Sequence, residues 1–141
     1  MSEKYFVSDV KDLFDIEMIH GYLSQCYWSK GIPLATLSQA IKNSICFGVY
    51  DQSQQQVGFA RLITDQATFA YLADVFILPD FQGNGLSKML MGYIKQHPSC
   101  QGLRRMVLAT ADAHSLYQQY EFKPLNHPES FMEIWQPNIY Q

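Results

Sequence analysis

The stretch Tyr71-Leu72-Ala73-Asp74-Val75-Phe76-Ile77, followed by Leu78-Pro79-Asp80-Phe81 and then Gln82-Gly83-Asn84-Gly85-Leu86-Ser87, decides how this chain folds. The first seven residues are apolar on both parities except at Asp74, the pattern of a strand buried on both faces. After the glycines, Leu86, Met89, Leu90, Tyr93 and Ile94 recur at helical spacing. A glycine-bearing loop therefore joins a strand to a helix N-terminus. Glycines permit positive φ and close approach of a ligand. The first N–H groups of the helix have no partner and carry the positive end of its dipole. Such a loop holds an anion, above all a phosphate.

Outward from this loop the order of elements is readable. Tyr5-Phe6-Val7 is a short strand, and Ile16, Ile19 and Leu23 mark a first helix that Asp9 or Asp12 can cap. Leu34, Leu37 and Ile41 mark a second. The period then changes to that of strands at Ile45 to Tyr50, Val57 to Thr64 and Thr68 to Ile77, a meander. Its second hairpin, if tight and centred on Gln66-Ala67, sets Arg61 opposite Leu72 and diagonal to Asp74. Beyond the loop and third helix, Met106 to Ala109 is a strand, so strand, helix and strand form a right-handed parallel crossover. A short helix at Ala113, Leu116, Tyr117 and Tyr120 follows, and Phe131 to Trp135 reads as a last strand.

Bulk properties narrow the function. The 141 residues fit one domain, residues 1–141. A formal net charge of -3 argues against non-specific nucleic-acid or anionic-membrane binding. No apolar run approaches a membrane span, and Met1-Ser2-Glu3-Lys4 lacks the pattern of a signal peptide. Cys26, Cys46 and Cys100 read as reduced thiols of a cytoplasmic protein. His20, His97 and His127 show no metal-ligand spacing, so no metal is expected.

Two phosphate-binding motifs fail here. A Walker loop needs four residues between its first glycine and a Gly-Lys pair, which Gly83, Gly85 and Lys88 do not supply. A dinucleotide fingerprint needs a small residue where Lys88 stands and an acid after the next strand, where Ala109-Thr110 stands. The segment from Val75 to Lys88 instead resembles the acetyl-CoA motif of the GCN5-related N-acetyltransferases (GNAT), Arg/Gln-x-x-Gly-x-Gly/Ala. Gln82 and Gly85 match, and Ser87 departs. Ala113-His114-Ser115-Leu116-Tyr117 through Tyr120-Glu121-Phe122 resembles the family's Ala-x-x-Leu-Tyr-x-x-x-Gly-Phe signature, with Glu121 at the glycine position and Thr110 where many members have Asn.

The resemblance implies a single-domain α/β fold, a mixed and mostly antiparallel sheet with one splayed parallel strand pair and helices on both faces. It implies acetyl-CoA as co-substrate. Backbone N–H groups of Gln82, Gly83, Asn84, Gly85, Leu86 and Ser87 would hold the pyrophosphate, Val75, Phe76 and Ile77 would pair with the pantetheine, and Leu108, Ala109 and Thr110 would form the other wall. Lys88, Arg104 and Arg105 are candidates for the ribose 3′-phosphate. Tyr117 is the family's usual general acid, suited to protonate a departing thiolate; it also fits a core position. An amine acceptor with a lysine-like pKa costs roughly 4–5 kcal/mol to neutralise at pH 7, which favours a base. Asp74 can serve as that base, or pair with Arg61. His114 lies one helical turn from Tyr117 and can relay a proton or bond locally. Asp112 can contact substrate or cap the helix. Tyr27 and Trp28 can clasp an amine or pack. The expected activity is acetyl transfer from acetyl-CoA to an amine, a small molecule, by direct attack. Family members are often dimers, which leaves a homodimer open. The rival is a non-catalytic acyl-CoA-binding module.

Overall fold

The structure is a computed structural model and describes residues 4–141; Met1, Ser2 and Glu3, part of the N-terminal pattern read above, lie outside it. Five strands form one sheet in the order β1 (Tyr5–Ser8), β2 (Ile45–Asp51), β3 (Gln56–Thr64), β4 (Phe69–Ile77) and β5 (Arg105–Leu108). The first four are antiparallel neighbours, and β5 runs parallel to β4. The parallel step is the crossover through α3 (Leu86–Gln96). The expected fold class is the observed one.

Alternating side chains send the sheet's two faces into separate cores. Phe47, Val49, Leu62, Ala70 and Leu72 pack against Leu86, Leu90, Met91 and Ile94 of α3. On the other face Cys46, Phe59 and Phe76 meet Ile19 and Leu23 of α1 (Ile16–Leu23) and Leu37 and Ile41 of α2 (Leu34–Lys42). A last helix, α4 (His114–Gln118), sets Leu116 and the buried Tyr117 against the α3 core.

Three local expectations are corrected. The N-cap of α1 is Asp15, whose carboxylate accepts from Met18 N–H at 3.1 Å; Asp9 instead pairs with His97 Nε2 at 2.8 Å. The β3–β4 loop is wider than a two-residue turn, because the Asp65 carboxylate gathers the N–H groups of Ala67, Thr68 and Phe69. The pairing consequently moves by one residue, to Leu62 opposite Leu72 and Arg61 opposite Ala73. Finally, Phe131–Trp135 forms no strand and joins none of the five in the sheet, because the chain enters it from the tight 3-10 turn Pro128–Ser130.

The chain leaves α4 through Glu121, which adopts a left-handed φ of 76° at the position where the resembling pattern has glycine. Glycine takes that conformation without steric cost. Here Lys95 Nζ anchors the turn by donating to the Glu121 carboxylate at 2.8 Å and to Tyr120 O at 3.3 Å. An exposed pair of this kind contributes little. Glu121→Gly is therefore expected to raise Tm by a few degrees, read by thermal denaturation with secondary structure unchanged.

Candidate active site

The site is built on a break in β4. Phe59 pairs with Phe76 and Arg61 with Ala73, so Ala60 of β3 faces two residues of β4, Asp74 and Val75. This is a β-bulge, and Asp74 takes it up with a left-handed φ of 56°. β4 and β5 are paired only from Phe69↔Arg105 to Leu72↔Leu108. Past Leu72 the two strands part, and the backbone of Ala73–Ile77 on one side and Ala109–Thr110 on the other borders an opening at the C-terminal end of the parallel pair. Amides at such a split stay available for a ligand.

The loop after β4 closes one end of that opening. Gln82 Nε2 donates to Ile77 O at 2.9 Å and Asn84 Nδ2 to Phe81 O at 3.1 Å, which ties the loop to the strand end. Gly83 and Gly85 have φ of 85° and 75°, and Gly85 is the N-cap of α3. A Cβ on either would meet no atom within 4 Å, so the loop's outer side is open. Gln82 N–H is taken by Pro79 O at 3.3 Å, whereas the N–H groups of Gly83 to Lys88 donate to no backbone acceptor among the described residues. The donors expected of the loop are thus present from Gly83 onward. Leu86 is buried, Ser87 half-buried and Lys88 exposed beside them.

Arg104 and Arg105 are not part of this site. They begin β5, and Arg105 pairs with Phe69, eight residues before Ile77. At ~3.3 Å per residue that is about 26 Å of strand away from the loop. The basic residue on the correct side is Lys88, whose carbonyl accepts from Tyr120 Oη at 2.8 Å.

Tyr117 is buried in α4 with its ring edge-on to Phe122 at 5.9 Å. Burial first, and the nearby Asp112 carboxylate second, push its pKa above the ordinary tyrosine value. The phenol consequently keeps its proton throughout the neutral range, the state a general acid requires. His114 is exposed one turn earlier and lines the same cleft as Tyr117, Leu108, Ala109 and Thr110. Asp112 does not cap α4. Thr110 Oγ1 does the turning instead, accepting from Asp112 N–H at 3.4 Å and Ala113 N–H at 3.1 Å. That gives the Thr110 departure from Asn a structural task.

Asp74 has the geometry of the ion pair. Arg61 Nε donates to Oδ2 at 2.8 Å, Trp28 Nε1 donates to Oδ1 at 2.9 Å, and both members of the pair are largely buried. Arg61 also donates to Ser44 Oγ at 3.2 Å. The Trp28 bond fastens the α1–α2 connection to the bulge. Tyr27 stands exposed beside it, edge-on to the Trp28 ring at 5.1 Å. Sequence patterning could suggest the Arg61 contact but not the Trp28 one, which joins residues 46 positions apart. Below them Tyr22 stacks on Phe76 with ring centroids 4.0 Å apart. Burial pushes the Cys26 thiol up to about 11 and Cys46 up to about 12, so neither is a thiolate at neutral pH. No group of three or more His, Cys, Asp or Glu placed to hold a metal occurs among the described residues.

Because Asp74 and Arg61 compensate one another in a poorly solvated place, removing one leaves the other stranded. Asp74→Asn and Arg61→Met are each expected to cost about 3 kcal/mol of unfolding free energy. The double variant should cost clearly less than the sum of the two, measured by denaturant titration.

Comparison with known proteins bears on the whole arrangement. Residues 42–124 match the family model described as an acetyltransferase (GNAT) domain. A provisionally named acetyltransferase of Gibberella zeae is 33% identical over 135 residues, covering 80% of this chain and 75% of its own length. The crystal structure of a GNAT-family protein from Xanthomonas campestris pv. campestris, also provisionally named an acetyltransferase, superposes with a TM-score of 0.94 at 51% identity and covers 96% of both chains. A Mycobacterium tuberculosis protein solved in complex with CoA and NLQ shares the fold, with a TM-score of 0.68 at 18% identity over 86% of this chain and 73% of that one.

Proposed function

The chain belongs to the GNAT family of acetyltransferases, and from that premise we propose that it moves an acetyl group from acetyl-CoA to the amine of a small molecule by direct attack. The observation that carries this is the pairing of a set of free backbone donors at Gly83 to Lys88 with a protonated, buried phenol at Tyr117, on the two sides of the β4–β5 opening. The glycine loop and the α3 N-terminus would hold the pyrophosphate. The pantetheine would lie along Val75, Phe76 and Ile77 on one side and Leu108, Ala109 and Thr110 on the other. Its thioester then arrives near Tyr117.

In the step itself the amine nitrogen bonds to the thioester carbonyl carbon and the C–S bond breaks. Tyr117 gives its proton to the departing sulfur. The proton lost by the amine passes to solvent, with His114, exposed on the same cleft, as the candidate carrier. Asp74 holds the bulge rather than the proton. A covalent acetyl-cysteine is disfavoured, since burial raises all three thiols. The exposed rings of Tyr27 and Trp28 suit a cationic amine waiting to be neutralised. The three free thiols accord with a cytoplasmic setting, and no helix among the described residues is long and apolar enough to cross a membrane.

Tyr117→Phe keeps the ring packing and removes the acid. It is expected to lower kcat by roughly 100-fold or more while CoA affinity, read by calorimetry, stays unchanged. The sign of the pH dependence follows from the raised pKa. Wild-type activity should persist until the pH passes about 10, the ordinary tyrosine value, and then fall, a limb the Phe variant lacks. Equal turnover of the two proteins over an amine panel would remove Tyr117 from the mechanism.

The donor site has its own test. Gly85→Val forces a β-branched residue to a φ of 75°, costing about 1–2 kcal/mol or displacing the loop. CoA affinity is expected to fall at least tenfold with the far-UV spectrum intact. Undiminished CoA binding would place the pyrophosphate elsewhere.

A further inference from the structure

β4 changes sides at Asp74. Residues four apart on an unbroken strand share a face. Leu72 nevertheless packs in the α3 core, and Phe76 in the core of α1 and α2. The bulge between them has turned the strand over. Asp74 has the parity of Leu72, yet it is delivered to the α1–α2 side, where Trp28 meets it.

The α1–α2 connection is well knit within itself. Gly31 N–H donates to Ser24 O at 2.9 Å, Ser29 Oγ donates to Leu23 O at 2.6 Å, and His20 Nε2 lies 2.9 Å from Ile32 O. Such bonds shape residues 24–32 without locating them on the sheet. Among the described residues, one hydrogen bond from 24–32 reaches beyond 20–32, from Trp28 Nε1 to Asp74 Oδ1 at 2.9 Å. The Tyr22–Phe76 stack beside it, with ring planes 14° apart, resists separation but lets the rings slide. A bond to a carboxylate fixes direction as well. Tyr27 rides edge-on against the Trp28 ring, so what holds Trp28 holds Tyr27.

The carboxylate is held from behind. Arg61 Nε donates to Asp74 Oδ2 at 2.8 Å, and Arg61 Nη1 donates to Ser44 Oγ at 3.2 Å. A chain of bonds, Ser44–Arg61–Asp74–Trp28, thus crosses β3 and β4 and ends on the connection. Trp28 alone among these four faces the expected place of a substrate.

We propose that Trp28 is a positioning residue for the acceptor amine: its indole N–H, held by Asp74, sets the α1–α2 connection at a fixed place over the β4–β5 opening. One bulge then parts the strands for the pantetheine and also presents the carboxylate that registers the acceptor side against the donor side. The amine here rests on the acetyltransferase reading, whereas the tether does not.

Trp28→Phe keeps an aromatic face and removes the N–H. With an amine that the wild type acetylates, KM for the amine is expected to rise roughly tenfold or more, the weight of a hydrogen bond to a charged group. kcat should change less, and CoA affinity by calorimetry should not change. Phenyl is also a weaker partner for a cation than indole, so a second variant separates clasp from tether. Arg61→Lys leaves both rings intact but loses the fork that holds the carboxylate. It should raise the same KM and add little to Trp28→Phe in the double variant. Independently of turnover, heteronuclear NOE values at residues 26–31 should fall in Trp28→Phe while those of α1 and α2 stay. An unchanged amine KM in Trp28→Phe overturns the proposal. So does a loss in CoA affinity instead, full additivity with Arg61→Lys, or unchanged NOE values. If the wild type acetylates no amine, the acetyltransferase reading falls, and the NOE values alone decide the tether.

Discussion

The bulge at Asp74 is the constraint on which the rest of the site depends. One extra residue in β4 bends the strand at Asp74, two residues past Leu72, where the β4–β5 ladder ends opposite Leu108. A left-handed aspartate is an uncomfortable place to put that residue. The surrounding structure over-determines it. Arg61 holds one carboxylate oxygen and Trp28 the other, while Phe76, two residues on, is stacked under Tyr22. Were the bulge removed, β4 could run on straight past Leu72 beside Ala109 and Thr110. The opening would close, and the loop at Gln82–Gly85 would face a completed sheet instead of a slot.

That dependence changes what a buried carboxylate in such a place is for. A lone Asp between apolar faces suggests a base with a raised pKa. With both oxygens engaged, Asp74 works as a clamp that joins three elements: β3 through Arg61, α2's end through the Arg61–Ser44 bond, and the α1–α2 connection through Trp28. In the proposed reaction the chemistry then rests on a neutral acid, Tyr117, and on donors of the backbone. Neither needs a charged group desolvated in the ground state, which would be costly.

The shape of the glycine loop was legible in the sequence because a backbone turn of this kind leaves a local signature. Amides can be aimed at a phosphate only if the chain turns with positive φ, so glycine must stand at Gly83 and Gly85, next to a strand and a helix whose periods are visible. The same holds for Leu116-Tyr117 and the turn at Glu121, whose φ of 76° is what the family's glycine serves. Helix caps and hairpin register were less legible. Asp9, Asp12 and Asp15 are equal as letters, and only the packing of α1 selects Asp15. The carboxylate of Asp65 widened a hairpin that the residue pattern alone reads as tight.

The Trp28–Asp74 contact and the course of the C-terminal segment were not legible for one shared reason. Side chains that meet across the fold, such as Trp28 and Asp74, carry no spacing rule. Strand propensity is likewise local, whereas strand pairing is not. Phe131–Trp135 reads as a strand, but its residues say nothing of whether an edge lies beside them, and in the fold none pairs with them. The tight 3-10 turn Pro128–Ser130 just before it is closed by Ser130 N–H donating to His127 O and Phe131 N–H to Pro128 O, and the residues that follow join none of the five strands. Strand-like side chains thus set a local preference, while the course of the chain entering the segment decides whether any edge lies within its reach.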